Sequence, residues 1–408
     1  MKILFLSDNF PPESNAPATR TYDHCFEWVS MGYEVIVITC NPNFPSGKIY
    51  NGYSNKIYSE ENINGIKVIR VWSYMYANKG FIKRTLDYLS FALTSFFFGL
   101  FVKADIIIAT SPQFFTAVTG SFLSLIKNKP WIMEVRDLWP DSIVAVGSMS
   151  SKSKSYKLLK KIEGILYNSA NKIIVVTNSF KDYLINYHDI NSSKIGVFKN
   201  GVKLENLKKT SPVDLRIIKD QLGLNNKIII SYIGTHGLAH ALKFIIDTTQ
   251  KVKNKKFHFL FVGDGAQKQD LLNYSKSLKN KNFTFIDSVS KSSVYDFINL
   301  SDFALVNLKK SDEFKNVIPS KIFENIALYK PILLGVDGEA KYLIQRYDVG
   351  ICFEPENETS FLSALDDLDK IDLKKFKVNC DNMIMDFNRK SIAKKMINFI
   401  VKDFKTYK

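Results

Sequence analysis

Short apolar runs alternate with helix-like segments along the whole chain, and this alternation is the strongest constraint on its fold. Near the start, the runs KILFLS (2–7) and EVIVIT (34–39) enclose a loop and a predicted helix, 20–30, that ends before Gly32. Similar runs recur at 66–71, 105–109, 131–135, 172–177, 227–233 and 257–262. Strand–helix–strand units of this length form parallel sheets. The sequence therefore predicts an α/β protein built from doubly wound parallel sheets.

A polar, lysine-rich segment, 203–222, separates two such series and predicts a linker followed by a surface helix. A chain of 408 residues has room for two or three domains. We therefore expect two Rossmann-like domains, 1–202 and 203–388, and a last amphipathic helix within 389–408. Two halves of this kind facing each other form a cleft, and ligands favour such interfaces.

Polar loops follow several predicted strands of the first domain. In parallel sheets of this kind ligands bind at the carboxyl ends of the strands. The loop 8–19 (DNFPPESNAPAT) follows the first strand, Thr110-Ser111-Pro112 follows another, and 136–141 (RDLWPD) follows a third. The last loop combines Arg136 with Asp137, which makes it a candidate active site. A local ion pair between these two residues is the alternative interpretation.

The net charge indicates which kinds of partner the protein binds, and the cysteine content bears on disulfides and metal sites. The formal net charge of +16 indicates an anionic partner, which is a nucleic acid, an anionic membrane or a phosphorylated substrate. Four scattered cysteines indicate neither a disulfide framework nor a zinc site. His236 and His240 lie four residues apart without a third metal ligand nearby, so we interpret them as polar loop residues. The N-terminal apolar run is short for a secretory signal, so a cytoplasmic protein is expected.

An apolar segment, 81–102, predicts a helix with two open interpretations. Its part 88–102 has about fifteen residues without a charge, whereas a helix that spans a bilayer needs about twenty. It is either a core helix under the first sheet, which is slightly favoured, or an interfacial helix that rests on a membrane. The flanking Lys83, Arg84 and Lys103 suit the second interpretation.

The segment 316–334 (NVIPSKIFENIALYKPILL) carries the most specific pattern of the second domain. Ser320 is predicted to cap a helix that begins at Lys321, carries Glu324 and ends near Tyr329. A cation in the first turn suits a phosphate, and a carboxylate one turn later can accept hydrogen bonds from sugar hydroxyls. This pattern predicts a nucleotide-sugar clamp. An ordinary helix-to-strand unit with solvated charges is the alternative.

Two glycine turns lie at other predicted strand ends of the second domain. Gly234-Thr235 lets backbone N–H groups approach a phosphate closely. Gly263-Asp264-Gly265 resembles part of a dinucleotide fingerprint but lacks its third glycine, so it does not indicate NAD.

Taken in order, these motifs resemble the retaining glycosyltransferases of family 4, which have the GT-B architecture of two facing Rossmann-like domains. The resemblance is carried by NFPPE (9–13), RDLWPD (136–141), KNGV (199–202), YIGTHG (232–237), FVGDG (261–265) and VIPSKIFENIALYKPIL (317–333). The segments NAPATRTYDH (15–24) and ITCNPNFPSGKIYNGY (38–53) resemble one branch, the bacterial N-acetyl-L-fucosamine transferases.

The resemblance implies roles for individual residues. Lys321 is expected at the donor diphosphate and Glu324 at the ribose. The other expected donor contacts are Asn15, Gly234, Thr235, Val317 and Ile318. Asp137 is the candidate catalytic residue, orienting the acceptor hydroxyl or stabilising the sugar ring. Candidate sugar or acceptor contacts are Arg136, Asn316, His236 and Glu339. The C-terminal helix is expected to pack back on the first domain.

Three positions depart from the family pattern. Asn15-Ala16 replace the usual paired glycines of the loop that closes on the donor. Asn316 stands where a glutamate is usual, eight residues before Glu324. No basic residue lies between Gly234 and Ala241, and Lys243 is the nearest candidate.

The resemblance also implies an activity and its setting. It implies a retaining, metal-independent hexosyltransferase without a cofactor that uses a UDP-sugar, such as an N-acetylated deoxy sugar. The acceptor is expected to be a saccharide on undecaprenyl diphosphate, in O-antigen or capsule synthesis, with the enzyme resting on the inner face of the cytoplasmic membrane. An epimerase of the UDP-N-acetylglucosamine type is the alternative enzyme. A basic nucleic-acid-binding protein is the alternative outside enzymes, although no nucleic-acid-binding signature is present.

Overall fold

The chain folds as two compact units, one formed by residues 1–200 and 389–408 and the other by residues 201–388. The computed structural model describes residues 1–76, 81–111, 114–145, 147–204, 207 and 210–404. Pro112 of the predicted strand-end loop and residues 205–206 and 208–209 of the predicted linker lie outside the described residues. The first boundary lies between residues 200 and 201, two residues before the predicted one. The second boundary lies between residues 388 and 389, as predicted.

The first unit contains an eight-stranded sheet in the order β3-β4-β2-β1-β5-β6-β7-β8. Its strands are β1 (Lys2–Leu6), β2 (Glu34–Cys40), β3 (Tyr58–Ile63), β4 (Ile66–Val71), β5 (Ile106–Thr110), β6 (Trp131–Val135), β7 (Lys172–Val175) and β8 (Ile195–Val197). All neighbouring strands are parallel except β3 and β4, which form an antiparallel hairpin at the edge. The sequence does not predict β3, because its residues YSEENI are mostly polar.

Seven helices of the described part of the chain belong to this unit: α1 (Ala16–Ser30), α2 (Phe81–Phe101), α3 (Phe114–Lys127), α4 (Asp141–Ala145), α5 (Lys154–Ser169), α6 (Asn178–His188) and the C-terminal α15 (Arg389–Val401). Helix α1 begins four residues earlier than predicted, because Asn15 caps it by accepting a hydrogen bond from the Ala18 N–H at 2.9 Å. Helix α15 packs on α1, where Trp28 donates from Nε1 to the Ala393 carbonyl at 3.0 Å.

Helix α2 is buried on one face and apolar on both. Phe91 and Ser95 are fully buried, whereas Leu93 is 70% and Phe101 71% exposed. A Cβ on Gly99 would contact Leu123 of α3, so the two helices pack closely and their outward faces adjoin. Helix α2 therefore combines a core face with an exposed apolar face, and its contact with a membrane stays a prediction. Among the described residues, no helix has the length and apolarity needed to cross a membrane.

A buried ion pair joins α1 to the sheet of the first unit. Arg20 donates from Nε to Glu134 on β6 at 2.9 Å, and both side chains are almost completely excluded from solvent. The same guanidinium donates to the carbonyls of Phe198 and Lys199 and to the Asn200 side chain. Although burial opposes it, the nearby Arg20 charge holds the pKa of Glu134 below its ordinary value. The pair therefore ties the loop after β8 to the carboxyl end of β6.

The second unit contains a six-stranded, fully parallel sheet in the order β11-β10-β9-β12-β13-β14. Its strands are β9 (Ile228–Ile233), β10 (Phe257–Val262), β11 (Phe283–Ile286), β12 (Phe303–Asn307), β13 (Ile332–Gly335) and β14 (Gly350–Cys352). Its helices are α7 (Pro212–Leu222), α8 (Leu242–Thr249), α9 (Lys268–Lys276), α10 (Lys291–Leu300), α11 (Lys321–Ala327), α12 (Glu339–Tyr347), α13 (Glu358–Asp366) and α14 (Leu373–Asp386). The apolar side chains of β9, β10, α8 and α13 form a core of this unit.

Helix α11 begins at Lys321, as predicted, but the structure differs from the prediction in its cap and in its end. Ser320 precedes it in a helical conformation, φ −61° and ψ −26°, and its side chain makes no capping hydrogen bond, so the predicted cap is wrong. The helix stops at Ala327, and Tyr329 adopts a positive φ of 55° before Pro331 leads into β13. Helix α9 begins at Lys268 rather than directly after Gly265, so loop residues precede it at the carboxyl end of β10.

Two glycines let the loops after β9 and β10 touch through their backbones. A Cβ on Gly263 would lie 2.0 Å from the Gly234 carbonyl oxygen, and Gly263 has a φ of +142°. A Cβ on Gly265 would lie 2.7 Å from the His236 carbonyl oxygen. Hydrogen bonds from Gly234 N to Val262 O and from His236 N to Asp264 O, both 2.9 Å, close the contact. Only glycine permits this approach of two backbones.

We predict that Gly263→Ala destabilises the second unit far more than Gly223→Ala. Both glycines have a positive φ, but the space around a Cβ at Gly223 is open. Gly223→Ala is expected to cost about 1 kcal/mol for the left-handed conformation alone. Gly263→Ala adds a collision with backbone, so we expect a loss above about 3 kcal/mol. Urea denaturation of both variants measures the difference, and equal losses contradict the close contact.

Candidate functional site

The loops at the carboxyl edge of the second sheet are joined into one surface. Lys309, after β12, donates its backbone N–H to the Ala239 carbonyl at 2.8 Å, and Asn307 donates from Nδ2 to the His240 carbonyl at 2.7 Å. Tyr232 donates its hydroxyl to the Thr235 carbonyl at 2.7 Å. With the glycine contacts described above, the loops after β9, β10 and β12 therefore form one continuous surface. We call this surface, formed by residues 234–240, 263–265 and 307–309, the floor of the site.

Lys321 places its ammonium on this floor. Its Nζ lies 3.6 Å from the centroid of the Tyr232 ring, and a Cβ on Gly234 would lie 3.1 Å from that Nζ. In the described part of the chain, Lys321 Nζ has no hydrogen-bond partner and no ion-pair partner within 4.0 Å. Burial lowers the pKa of Lys321 to about 7, and the charge of Glu324 opposes that shift. The site therefore holds a cation with free donors beside exposed glycine backbone, which is the chemistry that a phosphate requires.

The other predicted donor residues surround α11. Val317 and Ile318 directly precede Pro319, and Ile318 is buried whereas Val317 is partly exposed. Glu324 lies one turn into α11 and is partly exposed. Asn316 ends a single helical turn, Glu313–Asn316. Glu339 begins α12, and the preceding Gly338 packs so closely on Lys315 that a Cβ would lie 2.1 Å from its carbonyl oxygen. The roles of these residues toward a ligand stay predictions.

Two histidines, His236 and His240, lie in the loop after β9; His240 is partly exposed, whereas His236 is not. His236 is completely buried, and neither ring nitrogen has a hydrogen-bond partner. Its ring lies between Tyr232, at 5.9 Å, and Phe285, at 6.1 Å between centroids. Burial, together with the charges of Lys268 and Lys321, lowers the pKa of His236 to about 3. The ring packs as a neutral core group, and its predicted contact with a sugar or acceptor stays a prediction.

Lys243, the nearest candidate for a cation after the first glycine loop, faces other partners. It forms an exposed ion pair with Asp247 at 2.8 Å and lies 4.1 Å from the centroid of the Tyr274 ring. Its ammonium is therefore held on the outer side of α8, whereas Lys321 lies on Tyr232. In this structure Lys243 is not part of the floor around Lys321.

In the first unit, the loop after β1 is held by hydrogen bonds to its neighbours. Glu13 accepts hydrogen bonds from the backbone N–H groups of Asn43 and Phe44, both at 2.8 Å. Asn15 caps α1 and also donates to the side chain of Asn9. The amide of Asn15, predicted to contact the donor, is therefore engaged within its own loop. A contact with the donor stays a prediction.

Asp137 and Arg136 lie after β6 but do not form the ion pair considered as an alternative. Arg136 donates from Nη1 to the Pro17 carbonyl at 3.2 Å. Asp137 is held by hydrogen bonds from Ser142 and from the Leu138 backbone, and burial raises its pKa to about 6. Burial also lowers the pKa of Arg136 to about 10. Asp137 is thus a partly buried carboxylate at a strand end, and its pKa lies near neutral pH. These properties suit a group that acts on a hydroxyl.

Two groups of residues in the first unit were not expected from the sequence. Asp8 and Glu13, in the loop after β1, lie near Asp87 of α2, and burial and mutual repulsion raise the pKa of Asp8 well above its ordinary value and that of Asp87 to about 7. Asp141, at the end of RDLWPD, accepts hydrogen bonds from Tyr156, Lys160 and Tyr183. Both groups join residues distant along the chain, so no local pattern could have indicated them.

Comparisons with known proteins agree with this geometry. The family described as Glycosyltransferase Family 4 matches residues 18–206, and the family described as Glycosyl transferases group 1 matches residues 215–381. The chain is 24% identical over 376 residues to WcaI of Escherichia coli K12, which is named as a colanic acid biosynthesis glycosyl transferase. That match covers 90% of this chain and 91% of WcaI.

Two solved structures show the same fold. Sucrose-phosphate synthase of Thermosynechococcus elongatus superposes with a TM-score of 0.74 at 13% identity, over 99% of both chains. HepE of Anabaena, in complex with UDP and glucose, superposes with a TM-score of 0.70 at 15% identity, over 98% of this chain and 100% of that one. At these identities the likeness establishes the fold, which is the predicted GT-B class with two parallel α/β sheets.

We predict that Lys321→Met weakens UDP binding about tenfold to a hundredfold, the range for a lost hydrogen bond to a charged group. The free protein loses the Lys321 proton near pH 7, whereas a bound phosphate keeps Lys321 protonated. Binding therefore takes up a proton above pH 7, and the association constant falls by up to tenfold per pH unit. Titration calorimetry from pH 7 to 9 measures this slope. Lys243→Met is the matched control and should keep the pH dependence of the association constant. If Lys321→Met also keeps this pH dependence, the placement of Lys321 at the diphosphate is wrong.

Asp137→Asn is expected to lower kcat about a hundredfold, within the usual range for a lost acid–base group, while UDP affinity changes less than about twofold. The carboxylate is the active form, so kcat of the wild type should fall below pH 6, where Asp137 becomes protonated. The variant should lose this inflection. Asp189→Asn, at an exposed helix end in the same unit, is the control. An unchanged pH profile in Asp137→Asn refutes the role.

Proposed function

Because the chain is a glycosyltransferase of family 4 with the GT-B fold, we propose that it moves a sugar from a UDP-sugar to a saccharide acceptor in bacterial surface polysaccharide synthesis. The observation that carries the proposal is the Lys321 ammonium, which lies on Tyr232 beside the Gly234 backbone with its donors free. The proposed donor sugar is an N-acetylated deoxy sugar such as N-acetyl-L-fucosamine, and the proposed product is an O-antigen or capsule.

The proposed chemistry follows from where charge develops. Breaking the bond between the sugar and the diphosphate builds negative charge on the leaving group and positive charge on the sugar ring. Lys321, with the backbone of Gly234 and Thr235 beside it, stabilises the leaving group electrostatically. Glu324 accepts hydrogen bonds from the ribose hydroxyls, and the backbone at Val317 and Ile318 meets the base. The transfer is proposed to retain the anomeric configuration and to need neither a metal nor a cofactor.

Asp137 is proposed to orient the acceptor hydroxyl that attacks the sugar. A carboxylate with a pKa of about 6 is ionised at neutral pH and can accept a hydrogen bond from that hydroxyl. Asp141 supports the position of this loop, because three side chains of α5 and α6, Tyr156, Lys160 and Tyr183, hold its carboxylate. The loop that carries Asp137 is therefore fixed at both of its ends.

The proposed acceptor is a saccharide carried on a polyprenyl diphosphate at the inner face of the cytoplasmic membrane. Support comes from the outer apolar face, defined as the exposed residues Leu86, Leu89, Leu93, Phe97 and Phe101 of α2 with Phe122, Leu125 and Ile126 of α3. Exposed Lys83, Lys103 and Lys129 flank it, which suits an anionic bilayer. Helix α2 also places Tyr88 6.1 Å from Trp139, between ring centroids, so this helix contacts the loop of Asp137.

Donor identity is tested by a thermal-shift panel of UDP-, GDP- and ADP-sugars, followed by turnover assays with and without acceptor. We expect UDP-sugars alone to raise the Tm, and no turnover without acceptor. Preference for a GDP- or ADP-sugar contradicts the UDP assignment. Epimerisation of the donor in the absence of acceptor favours the epimerase, and binding of duplex DNA with no response to nucleotides favours the nucleic-acid-binding alternative.

We predict that replacing Leu93, Phe97 and Phe101 together by serine weakens binding to anionic liposomes at least tenfold, because the apolar area available for burial is lost. The matched control replaces Leu373, Val378 and Met385, equally exposed residues of α14, by serine and leaves binding unchanged. Sedimentation with phosphatidylglycerol vesicles at moderate salt measures both. Equal binding by both triple variants excludes the outer apolar face as the membrane contact.

A further inference from the structure

A cluster of polar side chains joins the short helix α4, which follows the loop of Asp137, to α5 and α6. Lys160 of α5 lies at its centre. The Lys160 ammonium donates to Asp141 Oδ2 at 2.8 Å and to Glu163 Oε2 at 2.7 Å. It also donates to the Tyr183 hydroxyl. An ammonium has three N–H donors, so these contacts engage all of them. Lys160 therefore links three helices through one group.

Glu163 is the buried partner in this cluster, with a side chain only 1% exposed. It accepts a further hydrogen bond from the Tyr167 hydroxyl at 3.0 Å, and His188 Nε2 lies 3.5 Å from Glu163 Oε2. Although burial opposes it, the contacts of Lys160 with Glu163 and Asp141 raise the pKa of the ammonium, so it stays a cation. Because Glu163 and Lys160 belong to one helix, their contact fixes the ammonium on α5, and Asp141 is held to α5 through it.

Helix α4 connects this cluster to Asp137. The residue after Asp141 is Ser142, whose hydroxyl donates to the Asp137 carboxylate. A helix of five residues is not stable by itself, so the placement of α4 depends on its contacts with the rest of the unit. The groups that act on the pKa of Asp137 are Ser142 and the Leu138 N–H, which oppose the effect of burial, and Lys160 is not among them. Any effect of Lys160 on Asp137 is therefore transmitted through α4.

We propose that Lys160 is a positioning residue for the transfer reaction: by pairing with Asp141 and Glu163 it holds α4 where the Ser142 hydroxyl donates to Asp137. This inference rests on the proposed function, in which Asp137 orients the acceptor hydroxyl, and adds to it a residue that touches no substrate. Position matters here because a displacement of about 1 Å in a reacting group can lower the rate about a hundredfold. The hydrogen bond from Ser142 also favours the ionised form of Asp137, which is the form that accepts the hydroxyl proton.

The first test measures kcat and the KM of the donor for Lys160→Met and Lys160→Arg at pH 7.5. Methionine removes all three donors, so we expect kcat at least tenfold lower and a KM within about twofold of the wild type. Arginine keeps enough N–H donors for both carboxylates, so kcat should stay within about threefold. Lys161→Met, at the exposed neighbouring position of α5, is the matched control. Wild-type kcat in Lys160→Met, or an equal loss in Lys161→Met, overturns the proposal.

The second test follows the Asp137 carboxyl directly and needs no substrate. NMR titration of protein labelled with ¹³C at the aspartate carboxyls gives its pKa, and Asp137→Asn identifies the signal. Loss of the hydrogen bond from Ser142 should raise this pKa from about 6 to about 7 in both Lys160→Met and Ser142→Ala. Tyr167→Phe removes a hydrogen bond to Glu163 without touching Asp141, so it controls for lost stability and should leave the pKa unchanged. An unchanged pKa in Lys160→Met overturns the proposal.

Asp141→Ala separates positioning from a direct effect of charge. Removal of a nearby carboxylate by itself lowers the pKa of Asp137, whereas release of α4 raises it. We therefore expect a rise in Asp141→Ala, as in Lys160→Met, and a fall overturns the proposal. If the wild type transfers no sugar, the proposed function itself fails. A wild type that transfers sugar, together with an unchanged Asp137 pKa in Lys160→Met, removes only the role of Lys160.

Discussion

The close approach of two backbones at Gly234 and Gly263 is the constraint on which the second unit's site depends. Parallel strands bring their carboxyl ends to one edge, but side chains on both loops would keep the loops apart. Because a Cβ on Gly263 would lie 2.0 Å from the Gly234 carbonyl oxygen, only glycine lets the loops after β9 and β10 touch. The resulting floor is mostly backbone, and the Lys321 ammonium lies beside it.

The two units place different chemistry at their strand ends. The first unit gathers carboxylates there: Asp137 after β6, and Asp8 and Glu13 after β1, all with pKa values raised chiefly by burial. The second unit gathers a cation, Lys321, and neutral imidazoles around Tyr232. Carboxylates suit work on a hydroxyl, whereas a cation suits a phosphate. Both units have the same kind of sheet. The difference in chemistry between them therefore follows from which side chains lie at the strand ends, how deeply these are buried and which groups they contact.

Much of the architecture was predictable from the residues, and the failures have physical causes. The buried strands were evident because apolar runs in a parallel sheet are continuous. Strand β3 was missed because an edge strand with polar residues lacks that signal. The predicted cap at Ser320 failed because its backbone is already helical, and a capping residue needs an extended backbone. From its place in the sequence, Lys243 was a candidate for the cation of the site. In the structure it forms an ion pair with Asp247, one turn later in α8.

By itself, the sequence determined the alternation of strands and helices, the division into two α/β domains and the motifs that mark the chain as a glycosyltransferase, because these depend on local residue patterns. The tertiary structure decided which side chains meet. It brought Lys321 onto Tyr232, joined Arg20 to Glu134, placed His240 beside Lys321 and left one face of α2 apolar and exposed. Contacts between residues distant along the chain, and the pKa values that burial sets, arise only once the strands are packed, because desolvation and Coulomb interactions depend on distance in space.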